Sequence, residues 1–406
     1  MLRTRCLCRG WRPGLREPIR AAKWLSQKSA DPVLPKHPAS VAPALGPPTT
    51  GEKLAIASAI LERSKWPPEP IRLHEFARYK KLRGQPAPLP DLLANASYVI
   101  SEITTRLARR LDSLRDLPLI VVLNEHISEI YNIYYNSFRV MSSIADPESE
   151  EEHSKFVDIL NSLVGFHSDM IPILAQGFSQ CSFILDPESV NRMLWDHIQA
   201  RIGTRLLAEH HIALTNPIGP NFVGCIQTDL NPSHLAKKVE STVAELTSLQ
   251  FGFTPHLRID MGEDVQLAYP PNHLEYILTE LLKNSFIAMA NLGETMAEEH
   301  PVVMTVISSG DGAIVRVRDR GGGIRPENEQ HIFKFAYTTV DRGGEEGLVE
   351  GTDSSLAGLG FGLPLSKAYA EFFGGKLQLQ SYHGWGTDAY LNLKSPMVSG
   401  YRRDIL

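Results

Sequence analysis

The 406-residue chain is 43% hydrophobic and 21% charged, with a formal net charge of −5. That is enough apolar material for two cores, and it lacks the basic excess of a nucleic-acid binder. No run of about 18 apolar residues occurs, which excludes a membrane-spanning helix.

In chain order, residues 1–30 come first. Arg3, Arg5, Arg9, Arg12, Arg16, Arg20, Lys23 and Lys28 stand against one acid, Glu17, with Leu2, Trp11, Leu15, Ile19 and Trp24 interleaved. An arginine-rich, acid-poor, amphipathic start reads as a mitochondrial presequence. Residues 31–52 carry Pro32, Pro35, Pro38, Pro43, Pro47 and Pro48 and read as a spacer without regular structure. Cys6, Cys8, Cys181 and Cys225 lack Cys-x-x-Cys spacing, so neither a zinc site nor a disulfide framework follows.

From 53 to 236 the pattern predicts amphipathic helices long enough to form a bundle. Val99, Ile103, Leu107 and Leu111 recur at four-residue steps. Phe156, Ile159, Leu160, Leu163 and Val164 form a second stripe that continues to Met170, Ile171 and Leu174, and Val190 to Leu206 supplies a third. Residues 116–119 and the acidic run 146–152 are expected to be inter-helix loops.

From 237 to 396 the texture changes, leaving 397–406 as a short tail. A helix is predicted over 272–291, strands over 302–307 and 313–318 around a turn at 309–312, a helix over 364–373 stopped by Gly374 and Gly375, and strands over 376–381 and 388–393. This order predicts an α+β protein: a helical bundle followed by an α/β sandwich.

Four short elements in this half carry chemistry. Glu280 and Asn284 lie one helical turn apart, opposite the apolar Leu274, Ile277, Leu278 and Leu281. A carboxylate beside an amide oxygen suits a general base next to a magnesium ligand. Asp319 closes a strand and is followed by Gly321, Gly322 and Gly323; such a carboxylate accepts a hydrogen bond from an exocyclic amine, and glycines admit a flat ring. Gly358, Gly360, Phe361, Gly362 and Leu363 open a helix at Pro364, where freed amides can face phosphates, although the Gly-Lys-Ser/Thr of a Walker A loop is absent. Thr387 sits in a glycine-flanked turn between two strands and can place a hydroxyl at a base. Each element alone is also what an ordinary exposed helix face or turn looks like.

Together, their order and spacing resemble the ATP-binding fold shared by histidine kinases, type II topoisomerases, mismatch-repair ATPases and heat-shock chaperones. The resemblance implies magnesium on Asn284, adenine on Asp319, and a lid over 334–359 that closes on nucleotide.

A narrower resemblance rests on Arg201-Ile-Gly-Thr-Arg-Leu-Leu-Ala-Glu-His-His211, Glu280-Leu-Leu-Lys-Asn284, Ala370-Glu-Phe-Phe-Gly-Gly-Lys-Leu-Gln-Leu-Gln-Ser381, Asn221-Phe-Val-Gly224 and Leu111-Asp-Ser-Leu-Arg-Asp-Leu-Pro118. These are similar to the mitochondrial 2-oxoacid dehydrogenase kinases over about 72–393. That likeness implies a four-helix bundle on an ATP-binding domain, ATP and Mg2+ as cofactors, and serine phosphorylation that switches off the α-subunit of pyruvate or branched-chain 2-oxoacid dehydrogenase. It also implies docking on a lipoyl domain of the complex core, a homodimer, and the mitochondrial matrix. Residue by residue, Glu280 resembles the general base and His167 the histidine that contacts and tunes it; Arg201 and Arg205 resemble arginines lining an inhibitory oxoacid site. Ile287 departs from the family's usual arginine and the tail is short, while segments 210–214 and 380–384 look nearer the branched-chain members. The alternatives on the same ATP fold are a histidine kinase and a chaperone-type ATPase.

Overall fold

The computed structural model describes residues 48–76, 82, 84–167, 170–181, 183–335, 337, 360–395 and 398–399. The expected presequence, most of the spacer and of the lid, Gly358, and residues 400–406 of the tail lie outside the described residues.

Helix α1 (Thr50–Ser64) opens on a capping box: Thr49 Oγ1 accepts the Glu52 amide at 3.3 Å, and the Glu52 carboxylate accepts the Thr49 amide at 2.6 Å. The spacer expected to reach residue 52 therefore ends before this cap. After the short α2 (Leu73–Phe76) comes α3 (Leu89–Arg115), whose predicted stripe Val99, Ile103, Leu107 and Leu111 is buried to 1% exposure or less. The single turn α4 (Leu119–Val122) leads into α5 (Glu125–Ser143), capped by the Asn124 side chain.

Helix α6 (Glu150–Phe166) starts inside the acidic run that was expected to be loop throughout. Ser149 caps it, and Glu150, Glu151 and Glu152 occupy its first turn, where the helix dipole favours carboxylates. Then follow α7 (Met170–Gln180) and the 29-residue α8 (Pro187–Thr215), with Asp186 as its cap and proline in its first turn. The four long helices α3, α5, α6 and α8 make the bundle, and α1 and α7 pack on its flanks. Phe138, Phe156 and Phe178 are each 1% exposed in its core; burying such a ring contributes about 1.5–3 kcal/mol. A polar thread also crosses this core: Asn95 Nδ2 lies 2.8 Å from His211 Nδ1, and His211 Nε2 lies 3.1 Å from His153 Nε2.

The expected 236/237 boundary falls within a helix. Strands β1 (Phe222–Val223) and β2 (Ile226–Leu230) form a hairpin, and α9 (Pro232–Phe251) runs unbroken across that boundary. Asn231 caps α9 and Gly252, at φ +83°, ends it. Next come β3 (Leu257–Met261), β4 (Gln266–Tyr269), α10 (Pro271–Ala290), α11 (Glu294–Glu299), β5 (Val302–Ser309), β6 (Gly312–Arg318) and α12 (Pro326–Glu329). Beyond the lid region lie α13 (Gly362–Phe372), β7 (Lys376–Tyr382), β8 (Gly386–Lys394) and β9 (Val398–Ser399).

The main sheet has the order β3-β5-β6-β8-β7, with β3 parallel to β5 and the rest antiparallel. Helices α9, α10 and α13 pack on it, giving the expected sandwich. A smaller sheet, β1-β2-β4-β9, was not anticipated. Register places Arg318 opposite Asp388, so the end of β6 and the start of β8 fall side by side. Helix α13 lies along α8: Gln199 Nε2 donates to the Ala368 carbonyl at 3.2 Å, and Gly203 leaves space for the Phe372 ring and Ile71.

Candidate active site

The helical period of α10 sorts its residues as expected. Leu274, Ile277, Leu278 and Leu281 are buried against the sheet, while Asn284 is exposed. Glu280 is 12% exposed at its side chain, and Lys283 Nζ donates to its Oε1 at 2.7 Å. Lys283 stands inside the motif that suggested the site, yet its role was not foreseen; an i, i+3 Glu/Lys spacing is the signal that could have found it. The other Glu280 oxygen lies against Gly362, where any Cβ would collide with it. Gly362 thus lets the first turn of α13 approach the carboxylate where it now stands. Phe361 at the helix start makes no side-chain cap, which leaves first-turn amides facing this space.

Asp319 is 8% exposed at the end of β6. Its Oδ2 accepts from Ser285 Oγ at 3.0 Å; its Oδ1 accepts from the Gly321 amide at 2.9 Å and the Thr387 amide at 3.2 Å. Burial pushes its pKa up, and these three donors pull against that rise. Ser285 was not foreseen: it follows Asn284 but faces inward, a position with no chemical signature in sequence. The Thr387 hydroxyl lies 2.9 Å from Ser381 Oγ. Three elements, α10, β6 and β8, therefore converge on one carboxylate.

The glycine segments close the same region. Gly323, at φ +70°, backs onto the Tyr382 carbonyl, and Gly360, at φ +75°, backs onto the Tyr337 carbonyl; side chains at either position would collide. Phe361 is 1% exposed and packs on Phe335, with ring centroids 5.4 Å apart. Its ring belongs to the core, so its expected nucleotide contact is limited to backbone. Leu363 is half-buried in the first turn of α13.

His167 departs from expectation. It ends α6 and is 7% exposed, and its Nε2 lies 2.8 Å from Ser137 Oγ. Among the described residues no hydrogen bond joins it to Glu280, because Ser137 holds the imidazole and Lys283 holds the carboxylate. Arg201 donates to the His167 carbonyl through Nε at 3.3 Å and Nη2 at 3.1 Å. Burial, with Arg201 nearby, pushes His167 down to about 3. Arg205, one turn along α8, donates from Nε to Glu209 at 2.6 Å. Burial, assisted by Arg205, lowers His273 on α10 to about 3, and Arg201 feels Tyr369 on α13. The arginine pair thus stands where the bundle meets the two helices of the nucleotide region.

Comparison with known proteins agrees with this geometry. Residues 70–227 match the family described as mitochondrial branched-chain alpha-ketoacid dehydrogenase kinase. Residues 270–397 match the histidine kinase-, DNA gyrase B-, and HSP90-like ATPase family. The chain is 31% identical over 348 residues to the mitochondrial [pyruvate dehydrogenase (acetyl-transferring)] kinase 1 of Saccharomyces cerevisiae, covering 81% of this chain and 85% of that protein. It is 28% identical over 324 residues to the corresponding kinase of Arabidopsis thaliana, covering 78% and 88%. It is 27% identical over 371 residues to isozyme 3 of Homo sapiens, covering 86% and 89%. The C-terminal half is thus an ATP-binding domain, and the likeness to mitochondrial kinases runs through both halves. The chain belongs to the mitochondrial 2-oxoacid dehydrogenase kinase family and is a protein kinase of that type.

Proposed function

We propose that the protein transfers the γ-phosphoryl group of ATP to a serine of a 2-oxoacid dehydrogenase α-subunit in the mitochondrial matrix and thereby inactivates that complex. The observation that carries this reading is the placement of Glu280 against Gly362, at the uncapped start of α13 and one turn from Asn284. A carboxylate held there by Lys283 stands where an acceptor hydroxyl must lose its proton, beside amides suited to phosphate. Pyruvate dehydrogenase is the first substrate to test, because the relatives spanning most of the chain bear that name.

Asp319 and the Thr387 hydroxyl would receive the adenine. Mg2+ suits the donors present: Asn284 offers an exposed amide oxygen on the Glu280 face, and among the described residues no group of three His, Cys, Asp or Glu side chains converges to hold a metal by itself. Mg2+ bound through few protein ligands and the nucleotide phosphates fits such a site and would offset phosphate charge. Arg201 and Arg205 would receive an inhibitory oxoacid, and the bundle would dock a lipoyl domain, with the kinase acting as a homodimer.

The test is incubation of the full chain with labelled ATP, Mg2+ and purified pyruvate and branched-chain dehydrogenase complexes in parallel. Label on an α-subunit serine, with matching loss of that complex's activity, is expected. Label on neither complex, with ATP still hydrolysed, would replace this reading by a histidine-kinase or chaperone-type one.

A further inference from the structure

A second cleft lies at the far ends of the elements that build the nucleotide region. Strand β6 carries Asp319 beyond one end and Asp311 before the other; β8 carries Thr387 near one end and Lys394 at the other. Helix α13 begins at Gly362 and leads at its other end to Phe372, Phe373 and Gly374. Asp311, Phe372, Phe373, Gly374, Lys394 and Ser395 form one wall of a cavity of about 470 Å³. The opposite wall is the bundle segment Ile71, Arg72, Leu73 and His74. The volume falls in the range of small-molecule sites, about 300–1,000 Å³.

The bundle wall is pre-organised. Glu102 Oε2 accepts the Glu69 amide at 3.1 Å, and Arg106 Nη2 donates to the Glu69 carbonyl at 2.6 Å. Glu102 and Arg106 also pair with each other at 3.1 Å, both nearly buried. This clamp fixes the chain two residues before Ile71, and Ile71 packs with Phe372 over Gly203. On the other wall, Phe373 packs edge-on against Tyr269 and on His273. The cleft therefore has an aromatic pair, Phe372 and Phe373, on one wall beside the polar Asp311, Lys394 and Ser395.

Its charges are uneven. Asp311 bonds Lys394 and Ser309, so one carboxylate is already matched to one ammonium. Arg72 is exposed at the rim, and among the described residues no hydrogen bond or ion pair is recorded for its side chain. Arg72 and His74, both exposed, thus line a cleft that also holds Phe372 and Phe373. A guanidinium takes a carboxylate through two parallel N–H···O bonds, and Phe372 and Phe373 favour an apolar body beside it. We propose that this cleft binds a small organic monocarboxylate with an aromatic or branched apolar body, held by Arg72 beside Phe372 and Phe373, and that it is separate from the site at Arg201 and Arg205.

The probe is phenylacetate, titrated calorimetrically into the full chain, with 2-phenylethanol as the neutral analogue of the same body. Wild type is expected to bind phenylacetate at this cleft, and Arg205→Gln is expected to retain that Arg72-dependent binding even where the oxoacid site is lost. Arg72→Gln and Arg72→Glu are expected to bind it at least about tenfold more weakly, the usual scale for losing a charge-assisted hydrogen bond, and 2-phenylethanol should be weak on every protein. Binding by Arg72→Gln equal to wild type, loss confined to Arg205→Gln, or no binding at millimolar probe would each overturn the proposal. Because Arg72 lies on the surface and the readout is binding rather than phosphoryl transfer, the result is independent of which protein the kinase phosphorylates.

Discussion

In the bundle, His167, His197 and His211 sit where water is excluded, and burial pushes each down to about 3. Arg110 and Arg201 are lowered by the same desolvation. In the ATP-binding half, Asp319 follows the end of β6 with three donors around it, while Glu280 with its lysine and Asn284 facing solvent lie on α10. The exception is His273, lowered to about 3 on α10, and it is the histidine that feels Arg205 of the bundle. One half seals its histidines in the core; the other rings a buried Asp319 with donors and leaves Asn284 open to a ligand.

The sharpest way to break this contrast is Glu280→Gln. The amide keeps the shape beside Gly362 but cannot take a proton, so phosphoryl transfer should fall roughly 10²–10⁴-fold while ATP affinity stays within about twofold. Transfer at the wild-type rate in a single-turnover assay would remove Glu280 from the reaction and leave the ATP-binding half without its base.

The sealed half is tested by acid. A histidine whose folded pKa is lowered stays neutral in the fold while the unfolded chain takes up protons below about 6.5. Its stability contribution is therefore present above about 6.5 and is lost progressively as pH falls toward 3. Each such histidine adds a slope of about 1.4 kcal/mol per pH unit, so the three in the bundle add about 4. A typical folding margin of about 5–15 kcal/mol is then consumed within a few pH units. Urea midpoints measured from pH 7 down to 5 should fall steeply, and His211→Gln should flatten the fall. An unchanged midpoint over that interval would mean that the bundle is not sealed.

The smallest effect belongs to Ser285→Ala. Losing the hydroxyl leaves the buried Asp319 Oδ2 without this donor, a cost of about 1–3 kcal/mol. Nucleotide affinity, followed by fluorescent-nucleotide displacement, should weaken several-fold for adenine nucleotides. Unaltered affinity would show that Gly321 and Thr387 alone orient the carboxylate.

How much was legible follows from chain distance and element length. The face of α10 that carries Glu280 and Asn284 could be read because a 20-residue helix repeats its apolar stripe several times. Strands β5, β6, β7 and β8 span seven to nine residues, long enough to alternate. Strands β1, β2, β4 and β9 have only two to five residues, too few for a period, so the smaller sheet went unseen. The Ser137–His167 bond joins residues 30 positions apart on different helices, and no local pattern encodes it. No change of period marks residue 236, because α9 continues the helical texture across it while packing on α10.

The contact between α8 and α13 has a mechanical meaning. Helix α8 meets α13 at Gly203, over which the Phe372 ring is seated, and through the Gln199 amide, which reaches a backbone carbonyl. Such a surface acts as a keyed joint: the seated ring and the amide bond resist axial slip as well as separation. Arg201 rides on one member, and the turn beside Glu280 begins the other. A lengthwise displacement of either rod would therefore be carried to the other across this joint.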